Sequence, residues 1–205
     1  IREQGVSPTD TLLARTYDQI ALIQRDRRDM KASLDAWTRA IEIRKAAEGP
    51  ESPEIARLLA QTGVPWMELG DLDRARGVLE ESLRMFARTS GPDDVRRWIP
   101  LNLLSDVEGR TGNVALRIDY LQEALRVLTR AYGENARAAL TVRQNLATAL
   151  QQVGDAAGAQ AVMIPLLPAI EAQYGPTHVR TLFARQTLAI VSKFQGDLPA
   201  AMAQF

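Results

Sequence analysis

The stretch YGPTHVRTL, residues 174–182, holds the only histidine of a 205-residue chain, next to a tyrosine, a threonine and an arginine. Whether His178 is a reactive group or a junction residue depends on whether the stretch occurs once. It recurs: Gly-Pro or a near equivalent stands at Gly49-Pro50, Gly91-Pro92, Gly133-Glu134 and Gly175-Pro176, with Ser7-Pro8 one step earlier, always 42 residues apart. A second series, Gly70-Asp71, Gly112-Asn113, Gly154-Asp155 and Gly196-Asp197, has the same step and is offset from the first by 21 residues, with Arg28-Asp29 in its first slot. Two glycine series half a period apart divide each unit into two segments of similar length, each ended by a residue that tolerates a positive φ. Each unit therefore reads as a helical hairpin.

Between these markers the apolar residues recur at steps of three and four. Leu72, Ala75, Leu79, Leu83 and Phe86 form one face, and Leu140, Leu146, Ala147, Leu150 and Val153 another, which is helical spacing and gives β-structure no support. The Asp or Asn after each mid-unit glycine is an N-cap for the second helix, and the proline after each unit-ending glycine suits the start of the next first helix. Pro65, Pro100, Pro165 and Pro168 fall inside the helical segments and are expected to kink or break them. One hairpin cannot bury its stripe alone, so stacking of neighbours is what makes a continuous core.

Composition narrows the function classes. The chain has 46% hydrophobic and 24% charged residues, with Lys plus Arg equal to Asp plus Glu at 25 each; this is a globular composition with no net field for nucleic acid or an anionic membrane. The longest uncharged apolar run, AVMIPLLPAI at 161–170, is about half a membrane span. With no cysteine and one histidine, there is no disulfide, no thiolate nucleophile and no site of several His or Cys ligands; a reducing, cytoplasmic setting fits. Phosphate loops and HExxH, GxSxG or Cys-His signatures are absent. Asp93-Asp94 and Glu80-Glu81 read as helix-terminal and surface charge, and Trp66 and Trp98 fall at helix-packing positions. No catalytic residue, metal site or cofactor is expected.

The residues resemble the tetratricopeptide repeat, in the 42-residue form of kinesin light chains and many bacterial signalling proteins, over the whole chain. Ala75, Ala159 and Ala201 hold the small site early in the second helix, Trp37, Leu79, Leu121, Met163 and Phe205 the bulky site, and Ala40, Ser82 and Ala124 the later small site. GPTHVRTL is similar to the family's linker, which makes His178 a junction residue. Arg117 and Leu166 depart from the pattern, each standing where a small residue is expected. The resemblance implies an all-α, right-handed α-solenoid of stacked antiparallel hairpins: residues 1–6 end a preceding repeat, 7–48, 49–90, 91–132 and 133–174 are repeats one to four, and 175–205 is a partial fifth. Ile1-Arg2 stand one period before Ile43-Arg44 and Phe205 falls midway through a second helix, so repeats are expected to continue beyond at least one end.

The same resemblance implies that the first helices line a concave groove. Carried over by register, the lining is Arg15, Asp18 and Gln19; Arg57 and Gln61; Asn102 and Asp106; Thr141, Gln144, Asn145 and Thr148; then Gln186 and Lys193. An amide side chain donates and accepts at once, so a row of them can hold an extended peptide backbone, with Arg and Lys adding a carboxylate contact. The expected function is a non-catalytic protein- or peptide-binding scaffold. The alternative is a regulatory or sensor segment of a larger bacterial signalling enzyme, such as a kinase, signalling ATPase or caspase-like protease.

Overall fold

The computed structural model describes residues 11–194. Among these the chain is all α: α1 (Thr11–Asp26), α2 (Met30–Glu48), α3 (Pro53–Glu68), α4 (Leu72–Thr89), a 3-10 turn (Val95–Arg97), α5 (Trp98–Thr111), α6 (Val114–Tyr132), α7 (Arg137–Gln152), α8 (Ala156–Tyr174) and α9 (Val179–Phe194). The 42-residue step survives to the residue. α1, α3, the 3-10 turn, α7 and α9 begin at 11, 53, 95, 137 and 179, and α2, α4, α6 and α8 at 30, 72, 114 and 156. Ser7-Pro8, Gly196-Asp197, Ala201 and Phe205 lie outside the described residues.

Local chemistry accounts for these starts. Asp29, Asp71, Asn113 and Asp155 each accept the backbone N–H three residues on, at 3.0, 3.0, 3.4 and 2.8 Å, satisfying one of the orphan donors of every second helix. The turn before each cap needs a left-handed residue, supplied by Gly70, Gly112 and Gly154, but by Arg28 at φ 64° in the first unit. First helices are capped differently from the expectation. The prolines of the Gly-Pro pairs do not open them; the helices begin three residues later, and only Pro53 occupies a first helical position. The cap site proper is 52, 94, 136 and 178. Ser52 accepts from Ile55 N–H at 3.2 Å and Asp94 from Arg96 N–H at 2.9 Å, Ala136 makes no side-chain cap, and His178 Nδ1 accepts from Arg180 N–H at 3.2 Å. The lone histidine is a helix cap.

The interior prolines leave the helices unbroken. Pro100 lies in the first turn of α5, where its missing N–H has no intrahelical partner, and Pro65 lies in the last turn of α3. Pro165 and Pro168 run through α8 on its exposed side, so the carbonyls of Ala161 and Ile164, which lose their donors, face water instead of an apolar interior.

Two compact units divide after Val107, within α5. In the first, α1 packs on α2, α2 on α3 and α3 on α4, around a core of Ala21, Trp37, Ala40, Ile55, Leu58 and Phe86. Ser33 and Ser82 lie fully buried among these residues and donate to the carbonyls of Ala21 and Ala56 at 2.9 and 2.7 Å, which fastens each second helix to its first. In the second unit α6 packs on α7, α7 on α8 and α8 on α9, around Leu140, Ala147, Met163, Leu166, Ile170 and Leu188. The bulky-site residues Trp37, Leu79, Leu121 and Met163 are all buried. Val153, expected on the apolar face of α7, ends that helix and is exposed.

Arg117 is accommodated by a glycine. A Cβ on Gly109 would come within 3.3 Å of Arg117 Nη1 and 3.4 Å of its Cδ, so the space a small second-helix residue would leave is supplied from α5. Arg117 Nη1 donates to Gln152 Oε1 at 2.9 Å.

Candidate ligand-facing surface of the first helices

In the first unit the inward side of α1 and α3 is joined by a charge network. Asp18, 8% exposed, accepts from Trp37 Nε1 at 2.8 Å and from Arg57 Nη2 at 2.6 Å. Glu54 Oε1 accepts from Arg57 Nε at 2.9 Å and Nη2 at 2.7 Å. Burial pushes the Arg57 guanidinium down in pKa, and its hydrogen bonds to Glu54 and Asp18 outweigh it, leaving a net rise. Nearby, Arg96 lies over the Phe86 ring at 5.4 Å and forks onto Asp94; hydrogen bonds from Arg96 hold the Asp94 carboxyl at about 2. Carboxylates outnumber cations here: two guanidinium groups, Arg57 and Arg96, face Asp18, Glu54 and Asp94. Asp18 and Arg57, expected to face a ligand, face one another.

The second unit is built differently at the corner where α7, α8 and α9 meet. Arg180 Nη1 donates to Thr141 Oγ1 at 2.7 Å, and Thr141 Oγ1 donates in turn to the Arg137 carbonyl at 3.1 Å. Gln144, 7% exposed, reaches the Arg180 carbonyl at 3.5 Å. The guanidinium carbons of Arg137 and Arg180 stand 5.7 and 5.3 Å from the Tyr174 ring centroid, and His178 stacks on that ring at 5.0 Å. Among the described residues no carboxylate pairs with Arg137 or Arg180: Glu134 is taken by Arg143 at 2.9 Å and Glu171 by Arg185 at 2.6 Å.

The remaining register positions are spread along the helices. Arg15 and Gln19 are exposed on α1, Gln61 is half-buried on α3, and Asn102 and Asp106 are half-buried on α5. Asn145 is half-buried on α7, where Thr148 bonds back to the Gln144 carbonyl at 3.0 Å; Gln186 and Lys193 are exposed on α9. Reading register alone missed Glu54, Arg96, Arg137, Tyr174 and Arg180. A partial signal was present, since positions 12, 54, 96, 138 and 180 share one slot of the 42-residue period and three of the five, Glu54, Arg96 and Arg180, carry charge. Trp66 and Trp98 are half-buried, and Arg74 covers the Trp66 ring at 4.8 Å. Among the described residues no group of His, Cys, Asp and Glu could hold a metal ion, and no helix is long and apolar enough to cross a membrane.

Residues 13–54 match the family model of the tetratricopeptide repeat. A curated relative, the clustered mitochondria protein homolog of Coccidioides immitis (strain RS), is 26% identical over 114 residues; the match covers 56% of this chain and only 9% of that protein. Among solved structures, BtubC (BKLC) from P. vanneervenii is similar with a TM-score of 0.84 at 17% identity, covering 95% of this chain and 77% of that one. The near-identical tetratricopeptide-like repeats of a putative kinesin light chain from Podosopora anserina give 0.78 at 16% identity, over 97% and 92% of the two chains. A Rap protein complexed with competence and sporulation factor gives 0.70 at 13% identity, over 98% and 54%. Residues 13–54 thus match a tetratricopeptide repeat, and the described chain shares the all-α helical-repeat fold of these solved structures.

Proposed function

We propose that the chain is a non-catalytic scaffold whose first helices hold an extended segment of a protein partner. The carrying observation is a recurrence: slots 18, 60, 102, 144 and 186 and slots 19, 61, 103, 145 and 187 contain Asp18, Asn102, Gln144, Gln186, Gln19, Gln61 and Asn145. Five of these, Gln19, Gln61, Asn102, Asn145 and Gln186, are carboxamides at exposed or half-buried positions, and such groups pair with a peptide backbone irrespective of its sequence. Lys193, exposed on α9, adds a cation; Arg57 contributes only if a ligand carboxylate displaces Asp18 or Glu54. The Rap protein's complex with competence and sporulation factor supports partner binding by this fold. A zero net charge argues against a nucleic-acid partner, and a cysteine-free chain suits the cytoplasm.

The test is selection of a peptide from a displayed library, followed by calorimetry with an Asn102→Ala, Asn145→Ala double variant. Two lost backbone contacts of about 1 kcal/mol each predict a fall of roughly tenfold or more in affinity. Because both asparagines are half-buried, the exposed Gln19→Ala, Gln186→Ala pair is measured beside them, with thermal melts reading the fold. Unchanged affinity in both folded variants would move the site away from the first helices, for instance to the shallow concavity lined by Arg126, Arg130 and Arg143.

A further inference from the structure

We propose that the corner formed by Arg137, Thr141, Tyr174, His178 and Arg180 is a phosphoryl-binding subsite that takes a phosphorylated side chain of the peptide partner. It rests on the scaffold reading, since Thr141 belongs to both. Two guanidinium groups from different helices, Arg137 at the start of α7 and Arg180 at the start of α9, converge on one ring at 5.7 and 5.3 Å. Neither has a carboxylate partner among the described residues, and the nearest acids in sequence, Glu134 and Glu171, are held by other arginines. An uncompensated pair of cations is costly to hold together unless something neutralises it.

The geometry also keeps these groups in place without a ligand. Thr141 orients Arg180 through one N–H and donates its own hydroxyl hydrogen bond to the Arg137 carbonyl, so Arg180 keeps its other N–H donors unspent by that contact. His178 spends Nδ1 as the acceptor of the α9 cap, which leaves its Nε2 as the side that meets solvent, and the residue is exposed. Tyr174 supports the three as a common platform. One carboxylate carries one charge and is satisfied by one guanidinium fork; a phosphoryl group carries nearly two at neutral pH and offers three oxygens in different directions. Two forks approaching from two helices match the second ligand.

Binding of a degenerate phosphoserine peptide pool to the intact chain tests this, with serine and glutamate pools and inorganic phosphate alone as companions. The phosphoserine pool is expected to bind at least about tenfold more tightly than the serine pool, with a marked loss on raising salt. Arg137→Gln and Arg180→Gln should each remove most of that ratio, while Arg39→Gln, whose guanidinium pairs with Glu42, leaves it intact. Equal binding of the phosphoserine and serine pools, or a ratio indifferent to both arginines, overturns the proposal. So does a glutamate pool as tight as the phosphoserine pool, which would make the ligand a carboxylate, or inorganic phosphate matching the pool, which would make it a free anion. The affinity of the serine pool reports the scaffold reading and the phosphoserine-to-serine ratio reports this subsite, so the two can fail separately.

Discussion

The joint between α1 and α3 and the joint between α7 and α9 are similar constructions, three residues apart in the repeat, closed in two ways. Both link consecutive first helices, and both use an arginine on the later helix reaching back to the earlier one. In the first unit Arg57 reaches a nearly buried carboxylate, Asp18, which also satisfies Trp37 Nε1; in the second, Arg180 reaches a hydroxyl, Thr141. A carboxylate turns the contact into a largely buried ion pair tied to the core through Trp37. A hydroxyl orients the cation and leaves its charge available. The acceptor at the far end of a single hydrogen bond thus decides whether the arginine's charge is paired within the fold.

The comparison is sharpest at those acceptors. Asp18→Ala strands the buried Trp37 N–H and removes one partner of Arg57, and is expected to cost about 2–3 kcal/mol in chemical denaturation. Thr141→Ala should cost less than about 1 kcal/mol, because Arg180 stays partly solvated. Equal losses would erase the distinction between the two joints.

Acid separates the units next. With its carboxyl held at about 2 in the folded chain, against an ordinary value of 3.8, Asp94 adds stability that is fully present above pH 4 to 5 and lost as the pH falls through 2. Discounted for the partial exposure of Arg96, the contribution is about 1–2 kcal/mol. The stability difference between wild type and Asp94→Asn should therefore be present at pH 5 and gone near pH 2. A difference that persists unchanged at pH 2 would show that Arg96 does not hold the carboxylate.

Helix caps give smaller effects of opposite sign. His178→Ala removes a cap and should cost about 1 kcal/mol, while Ala136→Ser supplies the missing one at the same slot and should gain about as much; thermal melts measure both. Smallest of all, Arg28→Gly relieves a left-handed non-glycine residue at the slot where Gly70, Gly112 and Gly154 stand. It should stabilise by about 0.5 kcal/mol, since the strain relieved is partly offset by the greater freedom of glycine in the unfolded chain.

What could be read in the sequence follows the range of the forces involved. Second-helix starts were legible because glycine, cap and apolar stripe act within a few residues of one another. First-helix starts were placed at the prolines of the Gly-Pro pairs, while the caps three residues later, at Ser52, Asp94 and His178, decide them. His178 as a junction residue was legible from repetition alone, though its role as an acceptor was not. Breaks at Pro165 and Pro168 were expected from backbone rules that ignore which side of the helix faces water. The pairing of Asp18 with Arg57, 39 residues apart, was invisible to register, which gives the face a side chain occupies and not the partner it finds there. For the same reason the ligand-facing set remains a proposal.

Because both helix series keep the same 42-residue phase, a hairpin can be copied or removed in frame and the neighbours on either side still meet the same cap, turn and packing slots. Growth of such a chain by duplication needs no new turn chemistry, only later divergence at slots such as 18, 54 and 141, where the contacts between first helices differ from one unit to the other. Lengthening by anything other than a whole period would bring an apolar stripe to the wrong side of the joint, so these repeats inherit change in units of one hairpin and diversify in units of one side chain.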